Sequence, residues 1–381
     1  MQALSQRVDS VLEAAVAGQR IVGAVAVVAQ RGEVVYHRAL GLADRDAGRA
    51  MTEATPFRLA SLTKQITTIA ALALVERGVL AFDQPVTRWL PDFTPRWGDA
   101  APPITLHHLL SHTSGLGYGF LELADGAYHR AHVSDGLDQP GLGLAENLRR
   151  LASAPLWSAP GTRFQYSLST DVLGGVLERA ADAPLADVIA REVSAPLGLD
   201  GFAFTAQPAV AAALAVPYAD GVHGAPPQPI RDGVPVPFDP FAVTFAPSRA
   251  LDPASYPSGG AGLVGRAAPY LAFLEAVRTR RVPGVAPALI DRMLSSHMPE
   301  PENLMLGPGW GYGYSVAVLR DPAAAGSVLS RGSVRWGGAY GHSWWIDGAR
   351  ETSAVLLTNT TFEGMSGALR DDFQRAVHAA A

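Results

Sequence analysis

The chain contains a single lysine, Lys64, although 30 of its 381 residues are Lys or Arg. Arginine keeps its charge at any pH at which proteins fold, whereas a lysine amine loses its proton when burial and neighbouring charges disfavour the ammonium form. A position that must accept a proton therefore suits Lys and not Arg. Ser61 lies three residues before Lys64, and on a helix this spacing places both side chains on one face. The pair predicts a serine nucleophile activated by a neighbouring amine.

A helix that begins near Ser61 is needed to bring the two side chains together. The apolar residues after Lys64 recur with the helical period of about 3.6, and Arg77-Gly78 is a typical helix end. These apolar residues are Ile66, Ile69, Ala70, Ala73 and Leu74. Ser61 would then stand at the helix N-terminus, where free backbone amides and the positive end of the helix dipole stabilise negative charge on an attacking oxygen.

Composition and charge exclude several functional classes. The formal net charge of -5 gives no positive field for nucleic acid. The chain has no cysteine, which excludes disulfides, thiolate metal sites and a thiol nucleophile. No apolar run approaches the roughly 18 residues that span a membrane. The N-terminal segment is an amphipathic helix with acidic residues and not a signal peptide, so we expect a cytoplasmic protein with no membrane or nucleic-acid partner.

Segments with strand character lie at both ends of the chain, and helical segments lie between them. This order predicts an α+β fold in which one antiparallel sheet is built from both termini and flanked by helices. The predicted elements are a helix up to residue 18, a hairpin of 22–30 and 33–39, strands at 312–319, 327–332, 341–347 and 352–358, and a final helix over 365–379.

We expect two structural units with the active site between them. Residues 1–80 and 258–381 form an α/β domain around the sheet, and residues 81–257 form a mostly helical inserted domain with long loops. Ten prolines between residues 217 and 257 make that part largely irregular and place it at the crossing between the units. Residues 117–143 are rich in glycine and aromatic residues without a sustained period, which predicts a long surface loop walling a pocket.

Several stretches together resemble the serine β-lactamase and penicillin-binding-protein superfamily, and they occur in the same order over nearly the whole chain. Within it the chain is most similar to class C β-lactamases and, more closely, to the family VIII carboxylesterases. The resemblance implies the β-lactamase/transpeptidase-like fold. The stretches are Ser61-Leu62-Thr63-Lys64, ITLHHLLSHTSGL at 104–116, FQYSLSTDVLG at 164–174, PSGGAGL at 257–263, GWGYG at 309–313, and Trp336-Gly337-Gly338 before a strand ending in Leu357-Thr358-Asn359.

The resemblance implies roles for particular residues. In the family the serine of the SxxK motif is acylated and its lysine assists deprotonation, which corresponds here to Ser61 and Lys64. A tyrosine that opens a Y-x-N motif completes the proton relay and corresponds to Tyr166. The oxyanion hole corresponds to the backbone amides of Ser61 and Ala339. The implied mechanism needs neither a metal nor an organic cofactor.

Two of the positions implied to bind substrate depart from the β-lactamase pattern. Leu168 replaces the Asn of Y-x-N, which removes the amide that would hold the acylamido side chain of a β-lactam. Trp336-Gly337-Gly338 replaces the Lys-Thr-Gly triplet, so an indole stands where a cation recognises the β-lactam carboxylate, as in the family VIII esterases. Arg335 and His342 are candidate replacements for that charge, although neither occupies the matching position. The glycines still allow a substrate carbonyl to approach the strand edge.

Other patterns carry less weight. His108 and His112 have the spacing of two metal ligands on one helix face, but no third ligand is evident, so we expect structural roles. Residues 260–265 match GxGxxG without the preceding strand of a dinucleotide site, and Ser315 lies in a predicted strand and not at a nucleophile elbow. Some aromatic residues are candidates for an acyl pocket, although most such residues belong to a core: Tyr118, Phe120, Trp157, Trp310, Trp344 and Trp345.

The residues and the resemblance together predict a serine carboxylesterase that hydrolyses small, short-chain acyl esters through an acyl-enzyme on Ser61. One alternative is a β-lactamase or D-amino-peptide hydrolase, and another is an acyltransferase in which an alcohol replaces water. A non-catalytic binding protein with the same fold is a further alternative, against which the presence of Ser61, Lys64 and Tyr166 argues.

Overall fold

The computed structural model describes residues 2–123, 125–221, 225–299 and 305–379. Its strands are β1 Gly23–Gln30, β2 Glu33–Asp44, β3 Arg49–Ala50, β4 Phe57–Arg58, β5 Tyr218–Ala219, β6 Gln228–Pro229, β7 Pro235–Phe238, β8 Phe241–Thr244, β9 Val264–Gly265, β10 Trp310–Tyr312, β11 Ala317–Leu319, β12 Val334–Gly338, β13 His342–Asp347 and β14 Thr352–Thr358. Its α-helices are α1 Gln2–Ala17, α2 Thr63–Glu76, α3 Leu106–Leu110, α4 Ala127–Arg130, α5 Leu144–Ser153, α6 Ser169–Ala181, α7 Leu185–Ile189, α8 Pro208–Ala213, α9 Ala267–Arg278, α10 Pro287–Met293 and α11 Ala368–His378.

One eight-stranded sheet joins the two ends of the chain. Its strand order is β10-β11-β12-β13-β14-β1-β2-β3. The pairing of β1 with β14 is antiparallel, with Val27 opposite Val355, and β1 also forms the predicted hairpin with β2. The prediction of one antiparallel sheet built from both termini is therefore confirmed.

The sheet buries both of its faces because successive strand residues point to opposite sides. On β1, Val25 and Val27 join the core shared with α2, α6 and α9. Ala24, Ala26 and Val28 join a second core under α1 and α11. The two terminal helices thus cover one face, and the helical part of the chain that carries α2 covers the other.

Two strand predictions near the C-terminal end are wrong. Residues 312–319 form β10 and β11 with a turn between them and not one strand. The turn closes through a hydrogen bond from Gly313 N to Val316 O of 2.8 Å, and Ser315 has a left-handed φ of 59°. Residues 327–332 form a turn and not a strand, and β12 begins only at Val334.

Two predictions in the middle of the chain need correction. The helix expected to stop near Gly115 ends at Leu110, although Thr105 caps it as predicted. The proline-dense part is more regular than expected, because it contains the strand pairs β5–β6 and β7–β8 and a 3-10 helix over Pro247–Leu251.

The helices α3 to α8 all fall between residues 81 and 257, as the expected inserted domain requires. The boundaries of the two units stay a prediction. Across the described ranges, no helix is both long and apolar enough to cross a membrane.

Candidate active site

Ser61 lies in a 3-10 turn, Ala60–Leu62, that runs directly into α2. Ala60 has a φ of 47°, a left-handed conformation that costs a non-glycine residue on the order of 1 kcal/mol or more. Contacts on both sides hold the turn: Leu59 N donates to Leu263 O at 2.8 Å, and Thr63 Oγ1 donates to Ala60 O at 2.7 Å. The turn fixes the direction of the Ser61 side chain while leaving the first amides of the helix without helical acceptors.

Lys64 is fully buried one turn further along, with 0% of its surface exposed. Its Nζ donates to the backbone oxygen of Gly260 at 2.7 Å and to Ser61 Oγ at 3.2 Å. Among the described residues, its hydrogen bonds go to a backbone carbonyl and to the serine hydroxyl and not to a carboxylate. The predicted pairing of Ser61 with Lys64 is thus present as a contact.

Tyr166 completes a group of three side chains. Its hydroxyl donates to Ser61 Oγ at 2.7 Å, and Lys64 Nζ lies 4.8 Å from the centre of its ring. Trp336 Nε1 donates to the Tyr166 hydroxyl oxygen at 3.3 Å. Tyr166 lies just before α6, whereas Trp336 lies on β12, so the fold brings together residues that are 170 positions apart.

The contacts at Ser61 Oγ define the routes that its proton can take. Nucleophilic attack requires the Ser61 hydroxyl to release its proton to a neighbouring base. Among the described residues, the hydrogen-bond partners of that hydroxyl are the Tyr166 oxygen at 2.7 Å and the Lys64 nitrogen at 3.2 Å. These two contacts are therefore the candidate routes for that proton, and the roles of both groups stay a prediction.

His112 is buried behind Tyr166 and is no candidate for a base. Burial, with a smaller effect of Lys64, holds the pKa of His112 well below its usual range. Its Nδ1 contacts Ser167 Oγ at 3.1 Å and its ring centre lies 5.0 Å from that of Tyr166. The expectation of a structural role for His112 fits these contacts, and His108 likewise serves the cap of α3 through Nδ1.

Two further tyrosines belong to the same cluster of aromatic rings as Tyr166. The ring centre of Tyr118 lies 5.1 Å from that of Tyr166, and Tyr312 meets Trp336 edge to face with 5.1 Å between ring centres. Burial raises the pKa of both Tyr118 and Tyr312 well above the usual value, and the charge of an ionised Tyr166 would raise it further. Both hydroxyls thus stay protonated, which leaves Tyr166 as the phenol that contacts the serine.

The edge of β12 next to Ser61 is free. The pairing of β11 with β12 ends at Ala317 opposite Arg335, whereas β12 continues to Gly338 while paired with β13 on its other side. An unpaired strand edge offers backbone groups to a ligand. Ala339 follows directly and lines the same cavity as Ser61. The placement suits the proposed oxyanion amides of Ser61 and Ala339, a role that stays a prediction.

A cavity of about 260 Å³ opens at Ser61. Of the residues predicted from sequence, it is lined by Ser61, Tyr166, Trp336, Gly337 and Ala339. The remaining walls are mostly apolar and include Tyr118, Phe120, Leu121, Asp135, Leu137, Phe238, Val243, Ala261, Met305, Leu306, Trp310, Ala317, Arg335, Phe362, Met365, Ser366 and Arg370.

Two residues predicted to bind substrate do not reach this cavity. Leu168 is fully buried in the main core at the start of α6. Gly338 lies against the turn that carries Ser61, where a Cβ would come within 2.6 Å of Leu59 O. Leu168 therefore packs in the core, and Gly338 packs against the turn that carries Ser61.

The expected aromatic pocket is only partly present. Tyr118, Phe120 and Trp310 line the cavity, whereas Trp344 and Trp345 are buried in the two cores. Trp157 packs on Tyr128 at 5.7 Å between ring centres. The 117–143 segment walls the cavity as predicted, but much of it is buried, which corrects its description as a surface loop: Tyr118, Tyr128, Val133 and Leu137.

A larger groove of about 1240 Å³ lies elsewhere, along α5, α6 and the Trp89 to Thr94 segment. It shares no lining residue with the cavity at Ser61. Size alone does not decide between the two, because Ser61 and Tyr166, two of the three converging polar groups, line the smaller cavity.

The sequence analysis did not identify the contacts of Asp171 with the segment that carries Gly260, the hydrogen-bond acceptor of Lys64. Asp171 Oδ1 accepts a hydrogen bond from Ser258 Oγ at 2.6 Å, and burial raises the pKa of Asp171. A Cβ at Gly260 would come within 2.4 Å of Asp171 Oδ2. The signal in the sequence was the Pro-Ser-Gly-Gly stretch at 257–260. Its glycines lack side chains, which allows Gly260, whose carbonyl accepts from Lys64, to lie close to Asp171 on α6.

The chain matches a known protein family over nearly its whole length. A family model described as Beta-lactamase matches residues 8–379. The chain belongs to the Beta-lactamase family. The resemblance seen in the sequence motifs is thereby confirmed.

Individual members of the family are close in sequence and structure. The chain is 51% identical over 383 residues to Esterase EstB of Burkholderia gladioli, covering 99% of this chain and 95% of that protein. The structure of EstCE1, described as a hydrolase with promiscuous acyltransferase activity, matches with a TM-score of 0.95 at 43% identity over 99% of each chain. A simvastatin synthase LovD6 mutant from Aspergillus terreus matches with a TM-score of 0.78 at 24% identity over 98% of this chain and 94% of that one, which shows the fold alone. The predicted β-lactamase/transpeptidase-like α+β fold is confirmed.

Proposed function

We propose that this protein is a serine carboxylesterase that hydrolyses short-chain acyl esters through an acyl-enzyme on Ser61. The observation that carries the proposal is the contact of Ser61 Oγ with both Tyr166 and Lys64 at the mouth of a mostly apolar cavity. The 51% identity to an esterase over nearly the whole chain supports an ester as the substrate.

In the proposed acylation step, Ser61 Oγ attacks the ester carbonyl as its proton moves to Tyr166 or Lys64. The negative charge on the carbonyl oxygen is met by the backbone amides of Ser61 and Ala339. Tyr166 then returns the proton to the leaving alkoxide, which departs as an alcohol. In deacylation, water attacks the acyl carbonyl as its proton moves to the same groups, the bond to Ser61 Oγ breaks, and Oγ takes the proton back as the carboxylic acid leaves.

The cavity supports a short acyl chain. Its volume of about 260 Å³ falls below the roughly 300–1,000 Å³ of sites for drug-sized ligands. Tyr118 and Trp336, whose ring centres each lie 5.1 Å from that of Tyr166, are among its lining residues. A small ester fills such a space, whereas a long acyl chain would need the walls to move.

An acyltransferase is the second candidate. EstCE1, at 43% identity, is described as having promiscuous acyltransferase activity. The apolar walls would hold an alcohol as well as they hold an ester, and an alcohol that reaches the acyl-enzyme before water gives transfer in place of hydrolysis. A β-lactamase is less well supported, because Leu168 is buried away from the cavity and Trp336 replaces the cation of the triplet.

One assay panel separates these functions. We expect rapid release of 4-nitrophenol from 4-nitrophenyl butyrate, slow or no cleavage of nitrocefin, and some ester product when a primary alcohol is added. Brisk nitrocefin cleavage without ester turnover would overturn the esterase proposal. A phosphonate inhibitor should add its mass to the peptide that contains Ser61.

Variants assign the activity to the predicted residues. Ser61→Ala and Lys64→Arg should each lose most of the ester turnover, because the first lacks the nucleophile and the second cannot accept a proton. Ser343→Ala is the matched control, since Ser343 is a buried serine on β13 outside the cavity whose hydroxyl has no hydrogen-bond partner among the described residues. Equal losses in all three variants would point to damaged folding and not to catalysis.

A further inference from the structure

Arg335 holds an unusual position in the cavity. It is the last residue of β12 that pairs with β11, so it stands where the free edge begins. Its guanidinium carbon lies 3.9 Å from the ring centre of Trp310, and both residues line the same cavity as Ser61.

No carboxylate of the described residues is bonded to the guanidinium of Arg335. Within the described ranges the guanidinium forms neither an ion pair nor a hydrogen bond, and its contact is with the ring of Trp310. The acidic group that acts on it electrostatically is Asp371, which is already bonded to Arg370 Nε at 2.8 Å. A partly buried cation without a bonded carboxylate is costly unless something else supplies the negative charge.

The surroundings of Arg335 favour an incoming anion. Burial and the neighbouring charge of Arg370 lower the pKa of Arg335 to about 9, which leaves it charged at neutral pH. Arg370 also lines the cavity and its charge acts on Arg335, although Arg370 is itself paired with Asp371. Among the described lining residues the carboxylate is that of Asp135, which is held by the amides of Gly119 and Phe120, and burial raises its pKa.

We propose that Arg335, flanked by Arg370, forms an anion subsite that binds a carboxylate carried by the ester substrate. The proposal rests on the proposed esterase function and names a substrate class for it: esters whose acyl or alcohol part bears a carboxylate. The chemistry at Ser61 is unchanged, because the carboxylate is bound and not transformed. A planar guanidinium matches a carboxylate with two parallel hydrogen bonds.

The spacing along β12 sets the size of such a substrate. Arg335 and Ala339 are four residues apart, which corresponds to roughly 13 Å along an extended strand. Arg335, Ser61 and Ala339 line one cavity of about 260 Å³, which limits how far apart the two ends of one substrate can lie. The carboxylate therefore lies several bonds from the ester carbonyl, as in a half-ester of a six-carbon dicarboxylic acid.

The test compares matched charged and neutral esters. For the acyl side the pair is mono-4-nitrophenyl adipate and methyl 4-nitrophenyl adipate, and for the alcohol side it is 4-acetoxybenzoate and its methyl ester. Arg335→Gln should lower kcat/KM for the charged member of one pair by roughly ten- to a hundredfold, the usual effect of losing hydrogen bonds to a charged group. Turnover of the neutral member should change by no more than about twofold. The pair that responds identifies the side of the ester that carries the carboxylate.

Controls separate recognition from packing against Trp310. Arg331→Gln removes an exposed arginine from the loop before β12 and should leave both ratios unchanged. If Arg335→Gln lowers the turnover of charged and neutral esters equally, Arg335 is structural and the proposal is overturned. An unchanged charged-to-neutral ratio would overturn it as well.

A binding measurement keeps the inference independent of the reaction. Adipate dianion, titrated calorimetrically into the wild-type protein and Arg335→Gln, should bind the wild-type protein at least tenfold more tightly. Equal affinities would contradict the anion subsite even if esters are hydrolysed. Tight adipate binding with no ester turnover would leave the subsite standing while the proposed function fails.

Discussion

At the scale of single residues, the geometry separates the roles of the three polar side chains. Lys64 is held by the Gly260 carbonyl at 2.7 Å, so its amine has a fixed position whatever the state of the serine. Tyr166 forms the shortest contact with Ser61 Oγ, at 2.7 Å. The position of Tyr166 between Ser61 and Trp336 suits it to pass a proton between the serine and a leaving group on the cavity side.

Replacing Tyr166 by Phe tests this role. We expect kcat/KM for 4-nitrophenyl butyrate to fall by roughly 10²- to 10⁴-fold, the usual cost of losing a positioned acid or base. Tyr312→Phe is the matched control, because Tyr312 belongs to the same ring cluster and its hydroxyl has no hydrogen-bond partner among the described residues. Its removal should leave turnover nearly unchanged, so a comparable loss in both variants would assign the effect to packing.

The sequence predicted the three side chains that meet, because motif spacing fixes Ser61 and Lys64 and a motif in the right order fixes Tyr166. It could not predict that the Lys64 acceptor is the Gly260 carbonyl, since a backbone oxygen leaves no signal in residue type. By analogy with the family, the sequence also predicted that Leu168 binds substrate, whereas its side chain is buried in the core. Side-chain direction at the start of a helix depends on tertiary packing and not on the motif.

At the scale of elements, the turn between β12 and β13 positions Ala339. Gly341 has a φ of 101°, and a Cβ there would lie 1.8 Å from Thr360 O. Its amide donates to Gly338 O at 2.8 Å and its carbonyl accepts from Thr358 Oγ1 at 2.9 Å. The turn is thus fitted tightly against the end of β14, and this fit sets where the Ala339 amide points.

Gly341→Ala should therefore be severely destabilising. The backbone strain and the steric clash together should lower the free energy of unfolding by about 3 kcal/mol or more. Gly332→Ala offers a matched control, because Gly332 also has a positive φ, 82°, but an added Cβ meets nothing within 4 Å. That control should cost only about 1 kcal/mol. Urea unfolding of the two variants measures the difference, and equal losses would show that crowding by Thr360 is unimportant.

Element prediction succeeded where periodicity is clear and failed where turns interrupt it. β14 was predicted with its observed bounds because an unbroken β-prone run lies between turns. Residues 312–319 look like one strand in sequence, yet Ser315 takes a left-handed φ and its hydroxyl accepts from Thr68 Oγ1 at 2.9 Å. A contact with α2 therefore bends the segment, and no local pattern reveals it.

At the scale of the whole molecule, buried ionisable groups link folding to pH. Burial lowers the pKa of His342 to about 4, and its Nε2 contacts Arg58 O at 2.8 Å. Between pH 4 and about 6.5 the unfolded chain binds a proton there that the folded chain does not, so this group stabilises the fold fully above that window and less as the pH falls. Asp220 acts in the opposite sense, because burial raises its pKa to about 7.

His342→Gln isolates one of these contributions. A pKa difference from 6.5 to about 4 corresponds to about 3 kcal/mol that the wild-type protein loses on acidification through the window. The variant should show a correspondingly flatter dependence of the free energy of unfolding on pH between 7 and 4.5. His129→Gln, at an exposed histidine, should keep the wild-type slope. Identical slopes in all three proteins would contradict a neutral, buried His342.

The sheet made from both ends of the chain was predictable because strand-like segments flank a helical middle. The contribution of β7 and β8 to the cavity could not be predicted, because Phe238 and Val243 come from the proline-dense part, which we expected to be irregular. Such long-range placement depends on the packing of several short elements, each too short to leave a period.

The burial of Lys64 has a practical consequence for chemical labelling. It is the sole lysine in the sequence and none of its surface is exposed. Apart from the amino terminus, reagents that acylate or cross-link primary amines therefore find no target on the outside of this protein. Such a reagent would reach the amine beside Ser61 only by entering the interior of the fold.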